Sequence, residues 1–409
     1  MAAPHRFFLF DDPVARAWHP FALTRPVGEL LFGTETLRAR CERVFGIPCE
    51  GHLAGDALRG FEEPGAPPCL AAAEPADDGH RLVLSSRFVA EEPPAAWPEG
   101  PAVLSAGAAV VGVRMPHDTA IPPGFATARF PESWPRVAVG GRLLASTWEL
   151  MAANRERLRR DGGRFPETAL PAGAHRVGDG VISVAPDAVV EAGVVLDTTA
   201  GPVRVEAGAR VRAPCRLCGP VWVGPGSTIL GGELAGVSIG PGCRVRGEVE
   251  SSLVLGHANK AHDGFLGHSI VGRWVNLGAM TSNSDLKNTY GPIRAQVGGK
   301  TVETGLTKAG CLLGDHVRTG IGTLLDTGTV VGAGSNLFGG RMPPKSVPPF
   351  SWGSGGGPGE YEIERFLDTV AVVMRRRGES LTPGMRELYR RAFHDSAALR
   401  ARAALSTDS

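Results

Sequence analysis

From Val184 to Leu337 an aliphatic residue returns every six positions, with a small residue four places after it. Val184 leads to Ala188, Val190 to Val194 and Leu196 to Ala200; after a short insertion Val205 leads to Ala209, Val211 to Cys215, Leu217 to Val221 and Val223 to Ser227. Further registers join Ile239 to Cys243 and Val245 to Val249, and the last runs from Leu313 and Val317 through Thr319, Leu325, Val331 and Ser335 to Leu337. This period fits neither the 3.6-residue turn of a helix nor the two-residue alternation of a strand. It fits a prism with three flat faces, six residues to a face. The aliphatic residue fills the interior, the small one sits at the crowded corner, and glycine in runs such as Val-Gly-Pro-Gly permits the turn.

Composition agrees with a turn-dense chain. Glycine at 56 and proline at 33 show no collagen period, and 409 residues suffice for two domains or for one domain and a solenoid. A net charge of +1 argues against a general polyanion surface, so nucleic acid is not an expected partner. The seven scattered cysteines and the absence of a charged, then apolar, N-terminal segment point to a reducing cytoplasm. No apolar stretch approaches the roughly 18 residues that span a bilayer. Cys215 and Cys218 lack a second pair at zinc spacing, and Cys215 and Cys243 are explained as inward-facing small residues. The five lysines, Lys260, Lys287, Lys300, Lys308 and Lys345, all lie in or near residues 245–340. A compact ammonium is not freely exchanged with arginine.

Residues 1–145 read as a reduced α/β domain. The run Arg6–Phe10 suits a buried first strand that Asp11-Asp12-Pro13 ends. His19–Gly33 reads as an extended loop across a strand end, where parallel α/β sheets bind ligands. Leu37, Cys41, Val44 and Phe45 then share one helix face. The segment resembles the start of sugar-nucleotide pyrophosphorylases, with Pro20, Thr24 and Pro26 at matching places. It departs from them where the Gly-rich phosphate loop is replaced by Asp11-Asp12 and the signature lysine by Val27. Under that resemblance Asp11, Asp12 and Arg25 are the nucleotide-phosphate candidates: Arg25 as a fork on phosphate, the two carboxylates through a divalent cation such as Mg2+. The structural alternative has Asp11 capping a turn and Arg25 pairing with Glu29. Residues 146–180 form a linker, with a helix from Ser146 capped by Thr147 and striped by Leu150, Met151 and Leu158.

The prism, residues 181–340, resembles the left-handed parallel β-helix of the hexapeptide-repeat transferases, a likeness that implies trimers with active sites between subunits. Between Leu255 and Leu313 the repeat reads as broken, and this interruption holds Asn259-Lys260-Ala261-His262-Asp263-Gly264-Phe265-Leu266-Gly267 and Val275-Asn276-Leu277-Gly278-Ala279. The pattern is similar to that of the bifunctional UDP-N-acetylglucosamine pyrophosphorylase/glucosamine-1-phosphate N-acetyltransferase family, above all its alternate bacterial form with FDD, TRP and FSWG segments, present here at Phe10, Thr24 and Phe350. The resemblance implies acyl transfer from acetyl-CoA to an amino sugar phosphate or nucleotide sugar. His262 titrates in the range of a general base, with Asp263 or a backbone carbonyl to orient its ring. Lys260 and Lys287 suit a sugar phosphate, Asn276 and Asn283 suit sugar hydroxyls or the amide, and Phe265 stands where the family has a tyrosine. No metal is expected there. Residues 341–409 comprise a Pro/Gly linker and two helices, Glu360–Arg376 and Thr382–Leu405. Two rival expectations are a sugar-1-phosphate nucleotidyltransferase with a structural β-helix, and a non-catalytic scaffold.

Overall fold

A computed structural model describes residues 6–71, 80–116, 118–125, 128–353 and 359–405. Phe7–Phe10 is a fully buried strand inside a seven-stranded sheet, parallel to Cys49–Leu53 on one side and to His80–Ser85 on the other. Four apolar residues in a row are needed because both faces of the sheet are covered. Phe7 and Leu9 meet Cys41 and Phe45 of the helix Leu37–Phe45, while Phe8 and Phe10 meet Phe125 from the opposite side. That helix starts at Thr36, whose hydroxyl accepts the Ala39 N–H at 3.1 Å, and ends at Gly46 in the left-handed region at φ 70°.

His19–Gly33 is folded into turns where an extended loop was expected. Phe21, Val27 and Leu30 are each 0% exposed and pack against the β-helix, so apolar burial coils the segment back on itself. The linker also differs: it is two short helices, Trp148–Ala152 and Asn154–Gly162. Thr147 makes no capping bond; the Glu149 carboxylate accepts the Ala145 and Ser146 N–H groups at 2.8 and 2.9 Å instead. Leu150, Met151 and Leu158 are buried as the stripe requires.

The solenoid is a parallel, three-faced coil of the left-handed β-helix type. One face is nine parallel strands from Ile182–Val184 through Leu253–Val254 and Ile270–Val271 to Ser346–Val347. A second runs from His175–Val177 through Cys215–Cys218 to Phe265–Gly267. The third stacks Val189–Val190, Arg210–Val211, Thr228–Ile229, Arg244–Val245, Asn259–Lys260, Asn276 and Arg318–Thr319. The interior is a continuous column of aliphatic residues that includes Cys215 and Cys243.

The repeat does not break at Leu255. Leu253, Ile270 and Leu312 remain in unbroken register, with Ala258, Leu266, Val271, Val275 and Leu277 filling the interior. The excursion from the coil is shorter, a hairpin of Arg294–Val297 and Lys300–Glu303. The N-terminal domain covers the first face through Trp222, Leu253, Leu255, Ile270 and Val330. The tail forms three helices, Ile363–Arg375, Pro383–Asp395 and Ala397–Leu405, the expected second one being broken at Ser396. Phe366, Leu388 and Tyr389 pack them on Trp274 and Phe350 at the corner between the first and third faces. Residues 354–358 of the Pro/Gly linker lie outside the described residues. No helix among the described residues is long and apolar enough to cross a membrane.

Candidate active site

Residues 261–264 make the corner between the strands Asn259–Lys260 and Phe265–Gly267, and they hold His262 and Asp263 exposed. Lys260 shapes this corner. It occupies an inward position in register with Val245, and its ammonium curls beneath the loop to donate to the carbonyls of Arg246 at 2.7 Å, Gly264 at 2.7 Å and His262 at 3.2 Å. Burial pushes its pKa down to about 8, against the pull of Asp263. Gly264 has φ 135°, and a Cβ there would lie 2.2 Å from the Thr281 carbonyl oxygen, so the turn admits only glycine. The Met280 N–H donates to the Asp263 carbonyl at 3.0 Å, locking the loop to the next coil.

Asp263 does not orient the imidazole. Its carboxylate pairs with Arg246 at 3.1 Å, because the two project outward from adjacent coils at the same corner. Among the described residues the His262 ring has no hydrogen-bond partner and faces solvent. Phe265 is half-buried, its ring lying over Gly267. Asn276 sits on the adjoining face and accepts from Asn259 Nδ2 at 2.9 Å through its Oδ1. Lys260, Asp263 and Phe265 therefore share one corner with His262, and Asn276 stands on the next coil.

Two expected ligand contacts are committed elsewhere. Asn283 is 6% exposed and clips two coils together, accepting the Gly267 N–H at 2.9 Å and donating to its carbonyl at 3.0 Å. Lys287 donates to the Pro292 carbonyl beyond it. Lys260 is likewise spent on carbonyls and faces no open phosphate site.

Of the N-terminal candidates, Asp12 and Arg25 are occupied, and Asp11 keeps only its Oδ1 buried without a partner. Asp12 caps the short helix Pro13–Arg16 by accepting the Ala15 N–H at 2.8 Å, and both its oxygens meet Arg87 at 3.0 and 2.6 Å. Asp11 is 1% exposed; burial raises its pKa, and its Oδ2 accepts the Val27 N–H at 3.2 Å. These carboxylates do not fit Mg2+, because Arg87 already neutralises Asp12 and burial disfavours ionised Asp11. Arg25 meets Asp315 and Glu63 rather than Glu29 or an open phosphate site. Glu29 pairs instead with His52 and Arg38.

One constellation escaped sequence reading. His268 Nδ1 lies 2.7 Å from Asp285 Oδ2, and Glu250 brings a third ligand atom within 4.8 Å. The hydrogen bond from His268 holds the Asp285 carboxyl below its ordinary value. Its signal was the coil length: 17 positions separate the two residues, one turn of the prism here.

Residues 7–167 match the family model of sugar nucleotidyl transferases. The chain is similar to a bifunctional sugar-1-phosphate nucleotidylyltransferase/acetyltransferase of Sulfurisphaera tokodaii, 30% identical over 100 residues, which are 24% of this chain and 25% of that protein. It is also similar to the bifunctional protein GlmU of Methanococcus maripaludis, 31% identical over 88 residues, 22% of this chain and 21% of the relative. The GlmU of Methanocaldococcus jannaschii is 31% identical over 86 residues, 21% of each chain. The matched part thus spans about a quarter or less of the length of these relatives. Strand Phe7–Phe10, its mixed sheet and the linker helices lie within residues 7–167, the part of the chain that is similar to the sugar nucleotidyl transferases.

Proposed function

We propose that the β-helix transfers an acetyl group from acetyl-CoA to the amine of an amino sugar phosphate or nucleotide sugar, with His262 as general base. The imidazole takes a proton from the substrate ammonium. The freed amine attacks the thioester carbonyl to form the C–N bond, the C–S bond breaks, and the proton lost from the attacking nitrogen balances the one taken up by the departing CoA thiolate. Such proton transfer contributes about 10²–10⁴-fold. The observation that carries this reading is the exposed His262 on a corner whose backbone is fixed from within by the three Lys260 hydrogen bonds. The double names of the relatives support pairing this activity with a sugar-nucleotidyl transferase domain.

Beside His262 the surface is apolar, with Met280 58%, Leu324 52% and Ile321 80% exposed on the following coils. Contiguous exposed apolar residues mark association surfaces, which supports a subunit interface beside His262; the likeness to the hexapeptide-repeat transferases adds that the assembly is a homotrimer. A second reading, sugar-1-phosphate nucleotidyl transfer in residues 7–167, is favoured by the family match.

Paired assays test the readings. Thiol release from acetyl-CoA with an amino sugar phosphate, abolished by His262→Ala, is the expected result. Pyrophosphate release from a nucleoside triphosphate and a sugar-1-phosphate, without thiol release, overturns it in favour of the second reading. Neither activity, with His262→Ala behaving as wild type, leaves a scaffold.

A further inference from the structure

The end of helix Ile363–Arg375 overhangs the third face of the β-helix and encloses a cavity of about 340 Å3. Four arginines line it: Arg244 and Arg318 from the β-helix, and Arg376 and Arg377 from the helix end. Asn259, Asn276, His257 and Trp274, with the apolar Val275 and Val373, complete the wall. Among the described residues no carboxylate forms an ion pair with any of the four. Arg377 donates one bond, to the Gly242 carbonyl at 3.1 Å, and Arg318 Nη2 is buried with no partner.

Arg318 and Arg377 are half-buried, Arg244 and Arg376 exposed; unneutralised guanidinium groups converging on one cavity repel one another, and the half-buried two also lose solvation. Burial, together with Arg244 and Arg376, holds Arg377 below its ordinary pKa, and burial does the same to Arg318. Among the buried arginines of the described residues, Arg25, Arg40 and Arg87 are neutralised by carboxylates, while Arg81 donates to the Thr119 carbonyl at 2.7 Å. A helix C-terminus accounts for Arg376 and Arg377, which complement its dipole. It does not account for Arg244 and Arg318 facing them across a cavity. Planar guanidinium forks match phosphoryl oxygens, the volume falls in the range that holds a small ligand, and the amides of Asn259 and Asn276 suit hydroxyl groups.

We propose that this cavity is a binding site for a phosphorylated small molecule, whose phosphoryl group is held by Arg244, Arg318, Arg376 and Arg377. Its occupancy does not depend on whether His262 acts as a base. Asn259 lies three positions before His262 on the same coil, so on the acyl-transfer reading the ligand is either the acyl donor's nucleotide or the acceptor.

Calorimetry on the full chain tests this with three probes: inorganic pyrophosphate, adenosine 3′,5′-bisphosphate and glucosamine-1-phosphate. At least one is expected to bind, and its affinity to fall by about tenfold or more in Arg318→Gln and in Arg376→Gln, as loss of a charged hydrogen bond implies. Arg210→Gln, on the same face but outside the cavity, is expected to change affinity less than about twofold. Preference for the bisphosphate assigns the site to the donor and preference for the sugar phosphate to the acceptor; both support the proposal. No binding of any probe to the wild type, or equal affinity in correctly folded Arg318→Gln and Arg376→Gln, overturns it. Arg376 is exposed, so its variant folds even where Arg318→Gln does not.

Discussion

Arg25 of the N-terminal domain and Asp315 of the β-helix form a buried ion pair, Nε to Oδ2 at 3.0 Å, with side chains 2% and 3% exposed. Thr24 donates to the same carboxylate at 2.8 Å, and the Arg273 N–H reaches its other oxygen at 2.8 Å. The far side of the Arg25 guanidinium grips Glu63 at 2.8 and 3.2 Å. Burial works against the ionised form of Asp315, yet Arg25 outweighs it and holds the carboxyl below its ordinary value. The Thr-Arg-Pro segment therefore acts as a latch between the two parts of the molecule.

Breaking one side of this latch strands a buried charge. Arg25→Met, which strands the Asp315 carboxylate, is expected to cost about 3–5 kcal/mol in urea unfolding, whereas the paired replacement Arg25→Met with Asp315→Leu recovers part of that loss, Glu63 keeping Arg273 as its partner. Equal destabilisation by the single and the paired variants would remove the electrostatic account.

Glu29 gives an acid limb to stability. Burial raises its pKa, but the hydrogen bond and charge of His52, followed by those of Arg38, prevail and hold it at about 2 against an ordinary 4.5. A carboxyl depressed in the folded state contributes stability above its unfolded pKa and loses it as pH falls through the folded value. The expected loss is about 3 kcal/mol between pH 4.5 and 2. Glu29→Gln, followed by urea unfolding at several pH values, should flatten that segment of the profile.

Lys260 is a positioning residue. Lys260→Met keeps the interior filled but deprives the carbonyls of Arg246, His262 and Gly264 of their donor. Stability is expected to fall by about 1–3 kcal/mol. If His262 is the base, kcat for thiol release should drop by about tenfold or more through misplacement of the ring, with faster amide exchange across residues 261–264. Faster exchange without a change in kcat would sever the loop from the chemistry.

Lys260 also explains what the sequence concealed. The six-residue period was legible wherever aliphatic residues marked the interior, so the prism and its free cysteines followed from pattern alone. At Lys260 an inward position is filled by an ammonium, and at Asn276–Leu277 the outward residue is an amide, so an unbroken coil read as an interruption. The motif singled out His262, which the fold leaves exposed at a corner. The roles of Arg25, Asn283 and Asp12 were not legible, because their partners Asp315, Gly267 and Arg87 are fixed by tertiary packing and have no local signature. The same holds for the four arginines, which converge from elements far apart in the chain.

The exposed apolar corner lies against the His262 loop. Met280 is bonded through its backbone to the His262 loop, and Leu324 pairs in register with Ser282 on the same flank. An arginine at Ile321, which is 80% exposed, has no folded-state contact to disturb and should change the monomer's stability by less than about 0.5 kcal/mol. In a subunit interface the same charge would be desolvated without a partner. Ile321→Arg with Leu324→Glu is therefore expected to shift the protein from oligomer to monomer in light scattering, and to abolish thiol release with His262 itself intact. A variant that stays oligomeric and active would place the interface on another face. A monomer with full activity would show that one subunit carries the complete site.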